Sequence, residues 1–240
     1  MRLQSPARLV AGLALLLNAG SAAGQGNFQN LGFESASLVP IPGDPYGRVQ
    51  FALAFPGWTG FVGPGQQAAA LYNSSFLDTS GVSIIDQGWP VGELGAGGVI
   101  SGNYTAILQA GLFGTQPADT TLSQTALVPS NAQSLVFKGY MVVDGISGSF
   151  NAALGGQTLS LTALGAGVNY TLFGADVHSW AGQTAELKFT VEAQQPHIGN
   201  TYLFLDSIQF SDQPVPEPGI LGLSALGALL LGWRILGRWR

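Results

Sequence analysis

Between residues 28 and 210 the chain alternates short apolar runs with glycine- and proline-rich breaks, and no stretch sustains a helical period. Residues 121–127 set Leu122, Gln124 and Ala126 against Thr121, Ser123 and Thr125. Residues 184–193 put Ala185, Leu187, Phe189 and Val191 on one face, and residues 201–210 oppose Tyr202, Phe204 and Asp206 to Leu203, Leu205 and Ser207. A period of two is the signature of a strand. The same reading predicts strands over 28–33, 49–55, 59–62, 68–72, 82–85, 103–110, 134–143, 149–154, 158–164 and 170–176. Residues 35–46 and 88–98 read as loops, and 179–182 as a turn or a single helical turn. Many short strands at regular spacing predict an all-β domain, a β-sandwich or jelly roll, over residues 24–212.

The two chain ends follow different rules. Arg2 and Arg8 precede an apolar run over 9–17, and Ser21, Ala22 and Ala23 offer small residues for cleavage. Residues 1–23 therefore read as a secretory signal peptide, handled by the Sec export machinery. At the other end, residues 213–219 form a proline-rich linker, 220–237 an uncharged run broken only by Arg234, and 238–240 a basic tail. A spanning helix needs about 20 apolar residues, and Arg234 can snorkel to extend the span. Residues 220–237 are predicted to form a transmembrane helix with its arginines in the cytoplasm. A plain tail anchor and a buried core helix are the other readings of this run.

Composition narrows the partners. Twelve of the thirteen acids lie between Glu34 and Asp212, where the only basic residues are Arg48, Lys138 and Lys188. A nucleic-acid surface needs clustered Lys and Arg, so that class is excluded. Charged residues are 9% of the chain and glycines number 35, which leaves the surface to Ser, Thr, Asn, Gln and Gly. There is no cysteine, and the domain must hold together without disulfides.

Pro216-Glu217-Pro218, the apolar helix and the terminal arginines, in that order and opposite a signal peptide, resemble the PEP-CTERM sorting signal of bacterial exported proteins. The resemblance implies processing by an exosortase and a Gram-negative host that makes an exopolysaccharide matrix. It also implies an inner-membrane anchored precursor that reaches the cell surface or matrix. Asn30-Leu31-Gly32-Phe33-Glu34, Pro56-Gly57-Trp58, residues 103–109, 180–189 and 205–211 resemble the galactose-binding-like jelly rolls common in such proteins. In carbohydrate-binding modules of that fold, an early Glu and a late Asp meet at a structural calcium ion. The resemblance places Glu34 and Asp206 there, although Ser207 stands where many relatives carry a second acid or amide. Calcium needs several oxygen ligands; turn capping is the other role open to the two carboxylates.

Catalytic constellations are sparse. His178 and His197 are the only histidines, and neither has metal-ligand spacing. No nucleophile elbow or phosphate loop is present, although a glycosidase-type carboxylate pair exists only in three dimensions. Trp58 and Trp180 read as core residues. Trp89, between Gly88 and Pro90, and Tyr72 are the candidate ligand contacts, because an aromatic ring beside amides suits a sugar face. Three Asn-x-Ser/Thr sequences read as idle. The expectation is a non-catalytic surface or matrix protein that binds exopolysaccharide; the alternative is a secreted polysaccharide hydrolase.

Overall fold

A computed structural model describes residues 25–75, 78–90 and 98–216. The predicted signal peptide, Glu217, Pro218, the predicted helix over 220–237 and the basic tail lie outside the described residues. Among the described residues, no helix is long and apolar enough to cross a membrane.

The fold is two packed β-sheets. The larger runs in the order β1 (Val49–Gln50), β4 (Ala69–Tyr72), β5 (Gly81–Ile85), β6 (Thr105–Phe113), β15 (Thr201–Ser211), β9 (Ser134–Val143), β13 (Thr171–Asp176), β12 (Thr162–Ala166), with β7 (Gln116–Ala118) hairpinned onto β6. The smaller runs β11 (Gln157–Thr158), β10 (Ser149–Leu154), β14 (Thr184–Glu192), β8 (Thr120–Leu127), β2 (Thr59–Val62), β3 (Gly65–Gln66). Only the β4–β5 pair among these is parallel.

The core lies between the sheets because the alternating faces meet there. On β14, Ala185, Leu187, Phe189 and Val191 are buried while Glu186 and Glu192 stay exposed. On β8, Leu122, Gln124 and Ala126 point inward. Gln124 is tolerated inside because its amide answers the backbone of Gln29: Gln29 N donates to Oε1 (2.6 Å), and Nε2 donates to Gln29 O (3.0 Å). Phe189 meets Phe137 edge-on at 5.0 Å, and Phe137 stacks on Phe173 at 5.3 Å. Trp58 is buried as expected, its indole N–H donating to Asn30 O (3.1 Å). Trp180 is partly buried against the same core.

The larger sheet is buried on both faces at its centre. Leu203 and Leu205 face the main core, whereas Tyr202 and Phe204 join Ile85, Trp89 and Ile107 in a second apolar cluster on the outer face. All five residues of β5 are buried for the same reason.

Three predicted strands are corrected. Residues 28–33 form turns, since Asn30 and Phe33 take positive φ (52° and 61°), though Phe28, Leu31 and Phe33 are buried. Residues 49–55 are strand for two residues only, followed by a one-turn helix, α1 (Phe51–Ala54), with Phe51 stacked on Phe55 at 4.9 Å. Gly60 makes room for this turn: a β-carbon there would lie 2.4 Å from the Phe51 ring. Residues 158–164 split between β11 and β12 because the chain crosses from one sheet to the other there, with buried Leu159 at the crossing.

Candidate functional site

Glu34 and Asp206 both reach the 101–105 segment, one from each end of the chain. The segment leading into β6 is held by the two acids. Glu34 accepts bonds from Asn103 N (2.9 and 3.0 Å to its two oxygens), Asn103 Nδ2 (2.8 Å) and Tyr104 N (3.2 Å). The carboxylate lies so close to Gly102, at φ +63°, that a β-carbon there would sit 2.2 Å from Oε1. Asp206 accepts from Ser101 N (3.0 Å) and Thr105 Oγ1 (2.8 Å) on one oxygen, and from Ser207 N (2.5 Å) and Ser207 Oγ (3.3 Å) on the other. Asp206 sits at an irregularity in the β15–β9 ladder, beside Ser207 at φ +50°.

Each of these four oxygens therefore faces a donor. N–H groups turn their positive ends toward the carboxylates, so each acid as arranged anchors the 101–105 segment. Among the described residues, no group of three or more His, Asp and Glu could hold a metal ion. Burial raises the Asp206 carboxyl from 3.8 to about 6, against the lowering pull of Thr105, Ser207 and Ser101.

The two aromatic candidates turn out differently from the expectation. Trp89 is 3% exposed and packs edge-on against Phe204 at 6.3 Å, so it offers no ring face to a sugar. Trp89 is buried because Ile85, Ile107 and Phe204 leave an apolar outer sheet face to be covered. Tyr72 is half-buried, and its hydroxyl donates to Asp86 Oδ2 (2.5 Å), a bond that raises its pKa to about 12. Asp86 also accepts from Asn73 Nδ2 (2.6 Å) and Gly88 N (2.7 Å). Tyr72 thus belongs to a network that shapes the turn after β5.

An open cleft of about 560 Å³ lies elsewhere, on the outer face of the smaller sheet where the β6–β7 hairpin overhangs it. Thr121 and Thr190 are directly opposite in the β8–β14 ladder, with their hydroxyl oxygens 3.1 Å apart. Lys188, one outward position along β14, adds an ammonium, and Gln116, Asp119 and Gln195 add amides and a carboxylate to the walls. Phe113 closes one side and leaves 60% of its surface in solvent. Asp119 is fixed in place by accepting from Ala193 N (2.9 Å). The site is thus a shallow trough of mixed lining, with two threonine hydroxyls, two glutamine amides and one aromatic wall beside the apolar Pro64, Pro117 and Ala118.

None of these residues stood out in the sequence. Thr121 was legible as an outward position on its strand, but nothing local tied it to Phe113 or Lys188.

The histidines do not join the cleft. His178 contacts Asp176 (2.7 Å) in an exposed 3-10 turn, and His197 contacts Asp78 (2.7 Å). Asp119 is the only acid among the cleft's lining residues.

The described residues thus form a β-sandwich carrying an open cleft of mixed polar and apolar lining on one sheet face. No family model matches the chain, and no curated protein matches it. Among solved structures, the chain is similar to TmCBM61 in complex with β-1,4-galactotriose, with a TM-score of 0.38, 12% identity, and coverage of 79% of this chain and 99% of that one. At that score and identity no site residue is carried over from it.

Proposed function

We propose that this protein is a non-catalytic glycan-binding protein of the cell surface or extracellular matrix, and that the cleft under Phe113 is its binding site. The observation that supports it most is the exposed Phe113 ring standing beside a floor of Thr121 and Thr190 hydroxyls. Sugars present an apolar face for stacking and a rim of hydroxyls for hydrogen bonding, and the trough offers a partner for each. Its openness on one side suits a chain better than a small molecule that must be enclosed.

The test is a glycan array followed by affinity electrophoresis. Phe113→Ala is expected to weaken binding by about tenfold, on the scale of one aromatic contact of about 1–1.5 kcal/mol. Its melting temperature should be unchanged, because a ring that is 60% exposed contributes little to the core. Unaltered binding by this variant would move the site away from the cleft.

Export and sorting are part of the same proposal. Pro216-Glu217-Pro218 and the run after it act as an exosortase signal, with exopolysaccharide as the partner at the destination. Deleting residues 215–240 is expected to release the protein from the membrane fraction. Tight membrane association of the shortened chain would defeat the sorting reading.

For Glu34 and Asp206 the proposed role is to anchor the 101–105 segment, and a bound calcium ion is the competing role. An ion that binds only the folded state adds about 2.7 kcal/mol at a hundredfold excess over its dissociation constant. That would raise the melting temperature by several degrees in millimolar calcium, and Asp206→Ala would abolish the rise. Identical melting in calcium and in chelator is the outcome expected of the anchor.

A further inference from the structure

We propose that the cleft selects a carboxylated polysaccharide, a polyuronate, over a neutral one, and that Lys188 is the residue that reads the carboxylate. The inference rests on the glycan-binding reading of the cleft and deepens it.

The described domain has three basic side chains, and two are already engaged. Arg48 holds Asp44 through a two-pronged contact at 2.6 and 2.8 Å. Lys138 lies over the Tyr170 ring, with Nζ 5.0 Å from its centre. Lys188 forms no ion pair among the described residues and lines the cleft directly. Acids outnumber bases twelve to three between Glu34 and Asp212, so a cation outside any ion pair here is against the odds of composition.

Covering that ammonium has a consequence for the ligand. Lys188 is half-buried before anything binds. A neutral sugar laid across it would strip more of its water and return only hydroxyl dipoles, whereas a carboxylate returns a full opposite charge and a charge-assisted bond. Asp119 imposes the complementary demand, because its carboxylate accepts donors only and would repel a second anion. A ligand must therefore bring an anion to Lys188 and hydroxyl donors to Asp119 and the Thr121–Thr190 pair. A uronic acid residue carries both groups on one ring. A uniformly anionic polymer poor in hydroxyls would satisfy Lys188 and meet repulsion at Asp119.

The acidic surroundings sharpen this. At low ionic strength the domain's own field disfavours any polyanion at long range. Selection then rests on the short contact at Lys188, with no general electrostatic attraction behind it.

The experiment uses the full chain in detergent solution, a polyuronate, and the same polymer after its carboxyls are reduced to alcohols. The wild type is expected to bind the polyuronate about tenfold tighter than the reduced polymer, the scale of one hydrogen bond to a charged group. Lys188→Met should erase the preference, weakening the polyuronate while the reduced polymer, with no ammonium left to cover, binds as well as before or better. Lys188→Arg should keep the preference. Equal binding of both polymers by the wild type, or an unchanged preference in Lys188→Met, overturns the inference and leaves the glycan-binding reading standing. Binding of neither polymer overturns the inference as well, and an empty glycan array alongside it removes the reading beneath.

Discussion

Replacing Phe189 by Ala is expected to cost about 3–5 kcal/mol of folding stability. The ring is fully buried at the centre of the inter-sheet core. It meets Phe137 edge-on at 5.0 Å and lies 6.4 Å from Trp58. Phe137 in turn stacks on Phe173, so the four rings tie β9 and β13 of one sheet to β14 of the other and to the turn before β2. Removing one ring leaves a cavity whose walls are strands already fixed by their ladders on both sides, and such walls collapse poorly. Against a total stability of about 5–15 kcal/mol, the loss is a large share. Urea titration measures it as a lower midpoint at an unchanged slope. Phe189→Leu, which keeps most of the volume, should lose much less. A change below about 1 kcal/mol in Phe189→Ala would mean that the two sheets do not pack through this residue.

Asp206→Asn should give the second large effect, and a pH-dependent one. The carboxyl titrates at about 6 in the folded protein against an ordinary value of 3.8. Because the folded-state value is raised, the folded state holds the proton more tightly than the unfolded one. Protonation therefore favours the fold: the cost of ionising Asp206 is fully present above pH 6, is relieved as pH falls from 6 toward 3.8, and is gone below. A rise of this size corresponds to about 3 kcal/mol. Asn cannot ionise, so it escapes the cost at neutral pH. It also turns an N–H₂ toward donors, leaving Ser101 N or Ser207 N without an acceptor at about 1–3 kcal/mol. The stability of the wild type relative to the variant should accordingly rise by about 2–3 kcal/mol as the pH falls from 7 to 4. Taking the gap removes the contribution of Asp44, Asp86 and Asp176, whose lowered values act in the opposite sense in both proteins. A gap that stays constant across this range would show that Asp206 is ionised throughout, as it would be beside a bound cation.

The two effects differ in how visible their causes were beforehand. Phe189 is inward because its strand alternates, and alternation is a local property: successive side chains of a strand point to opposite faces whatever the rest of the chain does. For that reason β8, β9, β10 and β14 were legible to within a residue or so, and with them the two-sheet class of fold. Where the backbone took positive φ, at Asn30 and Phe33, apolar spacing alone misread turns as a strand. Glu34 and Asp206 were named from a resemblance, and their shared hold on residues 101–105 depends on contacts about seventy and a hundred positions apart.

Trp89 and Lys188 show where local information ends. A tryptophan flanked by Gly88 and Pro90 looks exposed, yet it is buried, because the face that it covers is assembled from β5, β6 and β15 and exists only once those strands pair. Lys188 reads as one more outward polar residue of β14. It becomes part of a cleft because β8 pairs beside it and the β6–β7 hairpin brings Phe113 over the same sheet face. The sequence by itself determined which residues are inward and which outward on most strands, since that follows from the two-residue repeat of the backbone. Which outward residues meet was decided by strand order and by the crossing between sheets, long-range choices that no short stretch of chain encodes.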